Sequence, residues 1–155
     1  MAAFTHLPIS GTRFTDGSYG VYYASNSLKT AIAETKYHRE KFLRDFNAPK
    51  IEIDMRVLLA DLKAKLHDIS NQQSKMPSLY SSENYTDAQK FGKQLRGNGL
   101  SSYGIRYTSV RYSAGECVTV FRPSALSHCR QERHLCYVWN GKSISHIYRK
   151  QMQPA

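Results

Sequence analysis

The pattern of apolar and polar positions divides the chain into short strands and two longer helices. Residues 21–25 are β-branched and aromatic, which is typical of a strand. From Leu28 onward the chain is rich in helix formers, and Asn26 and Ser27 just before it are candidate caps. Helical spacing predicts a buried stripe. Its members are Leu28, Ile32, Thr35, Phe42 and Phe46.

Glu34 lies outside that stripe. At about 100° per residue it is roughly 160° away from Ile32, and it shares a face with His38, four residues on. The spacing by itself is typical of a solvated glutamate on an amphipathic helix.

The middle of the chain combines a strand with a long polar segment. Residues 51–55 alternate apolar and acidic side chains, which predicts a half-buried strand. Residues 57–62 continue it as a second strand or a short helical turn. Residues 68–84 are rich in Ser, Asn and Gln and include Pro77, so we expect a long surface loop, functional or disordered.

A second helix follows that loop. Thr86 and Gln89 have the spacing of a capping box, in which each side chain bonds a backbone N–H at the start of the helix. The helix is predicted to end at two glycines. Its inward residues are predicted to be Ala88, Phe91 and Leu95, and the glycines are Gly97 and Gly99.

The C-terminal half is rich in strands. Residues 103–110 and 117–121 are apolar and β-branched, and residues 135–139 alternate. Asn140-Gly141 then predicts a hairpin, with residues 143–148 as the return strand. The predicted class is α+β with a largely antiparallel or mixed sheet. The length of 155 residues suits a single domain over residues 13–150, after a loose N-terminal lead at 1–12.

The cysteine content and the lack of long apolar runs indicate the cellular compartment of the protein. The three cysteines, Cys117, Cys129 and Cys136, form no Cys-x-x-Cys pair, which favours free thiols in a reducing compartment. No apolar run approaches the roughly 20 residues of a membrane span, and no signal peptide is visible. We therefore expect a cytoplasmic protein that does not bind membranes.

The net charge of +10 predicts a surface that attracts anions. The positive residues are scattered, and no basic arm, zinc finger or RNP pattern is present. A general basic surface is favoured over a dedicated nucleic-acid reader.

Metal and thiol chemistry are not predicted. Cys129, His134 and Cys136 are close in sequence. A zinc site usually needs a second pair of ligands at a similar spacing, and the sequence has none. Cys117 lies in an apolar strand, where thiols are usually inert.

Several short segments, taken together, resemble the RES domain family, named for its arginine, glutamate and serine. They are residues 13–14 (RF), 20–25 (GVYYAS), 30–34 (TAIAE), 109–111 (SVR) and 117–126 (CVTVFRPSAL). This family supplies the toxins of bacterial toxin–antitoxin pairs with Xre-like antitoxins. Many relatives have further sequence before the arginine, whereas twelve residues precede Arg13 here.

The resemblance implies a fold like that of ADP-ribosyltransferases, with a mixed sheet flanked by helices and a cleft for NAD. It implies that NAD is a substrate whose nicotinamide–ribose bond is cleaved by inorganic phosphate or by water, without a metal. Some relatives instead transfer ADP-ribose to a protein. An Xre-like antitoxin would block the cleft and link the protein indirectly to nucleic acid, and a homodimer is compatible with the family. A non-enzymatic basic binding module is the alternative from another class.

The resemblance also assigns roles to single residues. Glu34 matches the helix glutamate, which would stabilise the positive charge that develops on the ribose as the glycosidic bond breaks. Arg13 matches the arginine, whose fork of donors suits the two phosphates of NAD, although a surface ion pair is its ordinary alternative.

Tyr23 and Ser109 match the tyrosine and serine of the family. The tyrosine ring would stack on or hold the nicotinamide, and the serine would bond its amide or the ribose. Tyr22 is an alternative to Tyr23, because neighbouring strand residues face opposite sides. Core packing for Tyr23 and a strand-end hydrogen bond for Ser109 are the ordinary alternatives. Arg111 is a weaker candidate for a phosphate contact.

Overall fold

Three α-helices and seven strands make up the described part of the chain in a computed structural model, which describes residues 2–97, 102–151 and 153. The helices are α1 (Ala2–Thr5), α2 (Leu28–Asp45) and α3 (Thr86–Gly97). The strands are β1 (Tyr22–Ser25), β2 (Ile51–Leu62), β3 (His67–Asp68), β4 (Gly104–Thr108), β5 (Glu116–Val120), β6 (Leu126–Trp139) and β7 (Ile144–Lys150). Short 3₁₀ turns cover Pro77–Tyr80 and Pro123–Ala125. The predicted α+β class is confirmed.

The strands form two sheets. The four-stranded sheet has the order β1-β5-β4-β3, in which β1 and β4 run antiparallel to β5 and β3 runs parallel to β4. The three-stranded sheet has the order β2-β6-β7, with β6 and β7 antiparallel. The predicted mixture of pairings is therefore present, but the strands are divided between two sheets.

The chain divides into two compact units. The first unit combines Met1–Ala31 with Leu62–Leu126, and the second combines Ile32–Asp61 with Ser127–Ala155. The first unit contains the four-stranded sheet and α3, while the second contains most of α2 and the three-stranded sheet.

Helix α3 packs on the core of the first unit through the side that the sequence predicts. Ala88 and Leu95 are buried and Phe91 is partly buried against the same cluster. Gly92 lies so close to the chain that an added Cβ would be 2.2 Å from the carbonyl oxygen of Phe14. A glycine at this position therefore allows the helix to approach the backbone at Phe14. The described part of the helix reaches Gly97, and Gly99 lies outside the described residues.

Within the second unit, polar contacts link α2 to its strands. The hydroxyl groups of Thr35 and Tyr137 are 2.8 Å apart, and the N–H of Ile144 donates to Glu40 Oε1 at 2.8 Å. The indole N–H of Trp139 donates to the carbonyl oxygen of Ala48 at 3.0 Å, just beyond the helix. These bonds fix the helix against β6 and β7.

The predicted stripe of α2 is wrong at its C-terminal end. Phe42 and Phe46 are 52% and 71% exposed, and Leu43 is buried instead. Phe46 follows Asp45, the last residue of the helix, although its N–H still donates to the carbonyl oxygen of Phe42 at 3.2 Å. At the other end, Ser27 caps the helix, since its Oγ accepts the N–H of Thr30 at 3.2 Å.

Two further local predictions need correction. The predicted capping box does not form. The Thr86 N–H donates to Asn84 Oδ1, and the Gln89 side chain donates to the carbonyl oxygen of Thr12. Residues 51–62 form one continuous strand rather than two elements. The loop over 68–84 contains a 3₁₀ turn, with Leu79 buried.

The predicted hairpin at Asn140 and Gly141 is confirmed. Strands β6 and β7 pair up to Trp139 and Ile144, and Gly141 has a positive φ of 97°. Asn140 Oδ1 accepts the N–H groups of Lys142 and Ser143 at 2.9 and 3.0 Å, which stabilises the turn.

Candidate functional site

The turn that carries Arg13 is anchored by its neighbour Phe14, which is fully buried. The Phe14 ring meets Tyr107 edge-on, with 5.1 Å between the ring centroids. Its N–H donates to the Tyr23 hydroxyl at 3.0 Å, and its carbonyl oxygen accepts the Tyr19 hydroxyl at 2.7 Å. The backbone at Phe14 is therefore held by contacts that do not involve the Arg13 side chain.

Arg13 is buried, with 8% of its surface exposed. Its Nη1 donates to the carbonyl oxygens of Leu79 at 3.0 Å and Ser81 at 2.8 Å. Its guanidinium carbon lies 4.7 Å from the centroid of the Tyr85 ring. Within the described part of the chain no carboxylate pairs with Arg13, so the alternative of a surface ion pair is wrong. The positive charge is buried but not neutralised.

Arg111 binds the same segment as Arg13. Its Nη2 donates to the carbonyl oxygen of Ser82 at 2.6 Å. Ser109, buried at the end of β4, accepts the N–H groups of Arg111 and Tyr112 on its Oγ at 3.1 and 3.0 Å. The hydroxyl of Ser109 thus fixes the turn that directs Arg111, which is the strand-end role considered as its ordinary alternative.

Tyr23 and Tyr22 have different surroundings. The Tyr23 hydroxyl lies 2.7 Å from Thr12 Oγ1 and accepts the Phe14 N–H, which ties it to the turn of Arg13. Loss of hydration at this hydroxyl raises the pKa of Tyr23, although 37% of the residue's surface remains exposed. The Tyr22 ring stacks on Phe4 at 6.4 Å instead. Tyr23 therefore contacts the turn that carries Arg13.

An open cleft of about 540 Å³ lies beside these groups in the first unit. It is lined by Ser10, Gly11, residues 83–86 and Gln89. Tyr85 belongs to this lining and also contacts the Arg13 guanidinium. The buried cation therefore lies against a residue of the cleft wall.

The first unit gathers four of the residues that the sequence singled out: Arg13, Tyr23, Ser109 and Arg111. Glu34 belongs to the second unit, where it is half-buried in the second turn of α2. Its catalytic role remains a prediction.

The surface loop that the sequence predicts over residues 68–84 holds both arginines. Three of its carbonyl groups, at residues 79, 81 and 82, accept hydrogen bonds from Arg13 and Arg111. The signal that could have revealed it is aromatic and apolar: Leu79, Tyr80 and Tyr85 interrupt an otherwise polar loop.

Neither a metal site nor a membrane helix is found in the described residues. No group of three or more His, Cys, Asp or Glu side chains is placed there to hold a metal ion. Among the same residues, no helix has the length and apolar character needed to cross a bilayer.

Comparison with known proteins shows the family of this chain. The model of the RES domain family matches residues 1–140, and the chain belongs to that family, which is associated with toxin–antitoxin systems. The chain is similar to an uncharacterized protein, y4oC, of Sinorhizobium fredii (strain NBRC 101917 / NGR234), with 28% identity over 148 residues. That alignment covers 96% of this chain and 60% of y4oC, so the chain spans about three-fifths of its relative's length.

Proposed function

We propose that this protein is the toxin of a toxin–antitoxin pair and that it consumes NAD by breaking the nicotinamide–ribose bond. The observation that supports this proposal most directly is the buried, unneutralised charge of Arg13 beside an open cleft. Membership of the RES domain family supports the same proposal.

A buried guanidinium without a carboxylate is suited to an anionic ligand. Burying a charge is costly unless it is compensated, and here carbonyl oxygens and a ring face compensate it only in part. Both protein hydrogen bonds of Arg13 come from Nη1, which leaves Nε and Nη2 without an acceptor in the described part of the chain. Those donors match the geometry of a phosphate, and NAD contains two.

The chemistry assigned to Glu34 is electrostatic. As the glycosidic bond breaks, nicotinamide leaves with the bonding electron pair and positive charge develops on the ribose, where a nearby carboxylate stabilises it. An oxygen of inorganic phosphate or of water then bonds to the ribose carbon. The products are nicotinamide with ADP-ribose 1-phosphate or, when water reacts and releases a proton, with ADP-ribose.

The remaining roles follow from the contacts in the first unit. Tyr23 and Ser109 use their hydroxyls to fix the turns of Arg13 and Arg111. We propose that they act in NAD binding chiefly by positioning these two arginines. Arg111 would contribute a second positive charge for the phosphates.

The biological setting is part of the same proposal. The enzyme would act in the cytoplasm, where depletion of NAD arrests growth. An Xre-like antitoxin would bind the toxin and block the cleft, whether the toxin is a monomer or a homodimer.

The test is release of nicotinamide by the purified protein from NAD, with and without inorganic phosphate. We expect release by the wild type and a loss of about a hundredfold in kcat for Glu34→Gln. Arg13→Gln should raise KM strongly. The matched control is Arg96→Gln, which removes another arginine stacked on a tyrosine, 4.6 Å from the Tyr19 ring centroid. Far-UV circular dichroism checks that each variant is folded.

Phosphorus NMR of the products decides between phosphate and water as the acceptor. If label from NAD ends up on a macromolecule, the enzyme is a protein ADP-ribosyltransferase. No nicotinamide release by folded wild-type protein would exclude the NAD-cleaving function, and salt-sensitive binding of nucleic acid would then favour the basic binding module.

A further inference from the structure

Glu83 is unusual among the carboxylates of this basic chain. The sequence has twelve Asp and Glu residues against 22 Lys and Arg. Within the described part of the chain, every carboxylate except those of Glu83 and Asp87 has an interaction with another group. An acidic side chain with no partner is unexpected where cations outnumber anions so clearly.

The position of Glu83 is fixed next to the Arg13 site. Glu83 lines the cleft, two residues before Tyr85. The N–H groups of Glu83 and Asn84 donate to Ser81 Oγ at 3.4 and 3.0 Å. The carbonyl oxygen of the same serine accepts a hydrogen bond from Arg13. Ser81 therefore holds the backbone of Glu83 through its side chain and binds the buried cation through its carbonyl oxygen.

A carboxylate in this position has a clear chemical preference. It repels phosphate groups that come close, but it accepts hydrogen bonds from the hydroxyls of a ribose. In dinucleotide sites a carboxylate commonly bonds the adenosine 2′-hydroxyl, and it disfavours the 2′-phosphate of NADP. The adenosine ribose is the one whose 2′-position distinguishes NAD from NADP, so it is the ribose that a carboxylate at Glu83 would select.

We propose that Glu83 is a specificity-determining residue that makes the cleft select NAD over NADP, by bonding the free 2′-hydroxyl of the adenosine ribose and repelling a 2′-phosphate. This inference rests on the proposed function, because it takes the cleft as the dinucleotide site. Arg13 would attract the bridging phosphates of either dinucleotide, so the choice between them falls to Glu83.

The experiment compares NAD with NADP as substrates of the wild type, Glu83→Gln and Asp87→Asn. Asp87→Asn is the matched control, since it removes the other unpartnered carboxylate, four residues on and outside the cleft lining. We expect the wild type to prefer NAD and the ratio of kcat/KM values to fall by about tenfold in Glu83→Gln. The ratio should change by less than about twofold in Asp87→Asn.

Direct binding separates this inference from the proposed function. Calorimetry measures the Kd of ADP-ribose and of 2′-phospho-ADP-ribose for the same three proteins, without any turnover. Tighter binding of ADP-ribose by the wild type, weakened selectively by Glu83→Gln, supports the inference even if no nicotinamide is released.

Three outcomes would overturn it. They are equal binding of both compounds by the wild type, binding of neither, and a loss of kcat in Glu83→Gln with an unchanged NAD:NADP ratio. The last result would place Glu83 at the reacting bond instead. Nicotinamide release without discrimination would leave the proposed function standing and refute only the role of Glu83.

Discussion

The two units of the chain use their apolar residues differently. In the first unit they form one buried cluster in which Phe14, Tyr19 and Tyr107 surround the turn of Arg13. The second unit buries Tyr137 and Trp139, yet among its described residues six large apolar side chains are exposed, against five in the longer first unit. The six are Phe42, Phe46, Ile51, Leu58, Leu59 and Tyr148. The cluster of the first unit fixes a charged group, whereas polar bonds fix the helix of the second unit to its strands.

The difference predicts where substitutions will be costly. In both units, buried residues with a specific partner should determine stability. In the second unit, the exposed apolar residues should contribute little. The following substitutions test this contrast, beginning with the largest expected effect.

Trp139→Ala should destabilise the protein by about 4 kcal/mol. Trp139 is 1% exposed, and its indole N–H bonds the carbonyl oxygen of Ala48, so the change leaves both a cavity and an unpaired acceptor. Urea unfolding followed by far-UV circular dichroism measures the loss. Trp139→Phe keeps most of the volume and should cost clearly less. Equal losses in the two variants would show that the hydrogen bond, not the packing, dominates.

Gly92→Ala should destabilise the protein by about 3 kcal/mol. The added Cβ would lie 2.2 Å from the Phe14 carbonyl oxygen, so α3 or the Arg13 turn must move. The matched control is Gly97→Ala in the same helix, where no atom of the described residues lies within 4 Å of the added atom. That change should be neutral or slightly stabilising. A Gly92→Ala variant as stable as the control would show that the close approach is absent.

These contacts show what local sequence patterns could and could not predict. The start of α2, the inward side of α3 and the hairpin at Asn140 follow from caps, spacing and turn residues, and all were predicted. The separation into two sheets depends on long-range pairing, which no local pattern specifies. The capping box failed because Gln89 has a distant partner, the carbonyl oxygen of Thr12.

The candidate site was predictable only in part. Family resemblance identified Arg13, but the carbonyl groups that hold it belong to residues 66 and 68 positions further along the chain. Backbone acceptors have no signature in the sequence, so the role of Leu79 and Ser81 could not be anticipated. Tyr85 was missed for a similar reason, since its contact with Arg13 depends on the fold.

Alkaline pH should weaken the first unit through Tyr19. Burial raises the pKa of the Tyr19 phenol from its ordinary value of 10.0 to about 12. A raised pKa means that the unfolded chain loses this proton first, so stability is intact below pH 10 and falls as the pH rises through 12. At pH 11 the loss from this group is roughly 1.4 kcal/mol. Urea unfolding at pH 8 and pH 11 measures it, and Tyr19→Phe should reduce the difference. An identical pH dependence in Tyr19→Phe would contradict this role.

Tyr137→Phe should cost about 1 kcal/mol in the second unit. The change removes the hydroxyl that lies 2.8 Å from Thr35 Oγ1 and leaves the buried ring in place. Thr35→Val removes the other partner. If the two hydroxyls bond each other, the double variant should lose less than the sum of the single changes, as measured by urea unfolding. Strict additivity would show that the pair makes no contribution.

Phe46→Ser should change the free energy of unfolding by less than about 0.5 kcal/mol. Phe46 is 71% exposed and its ring meets Phe42, itself exposed, with 4.7 Å between the centroids. Because both rings remain largely in water, removing one of them forfeits little buried apolar area. The fluorescence of Trp139, the single tryptophan of the chain, reports urea unfolding of the second unit in this variant. A loss above about 1 kcal/mol would mean that Phe46 is covered in the folded protein, and the contrast between the two units would no longer hold.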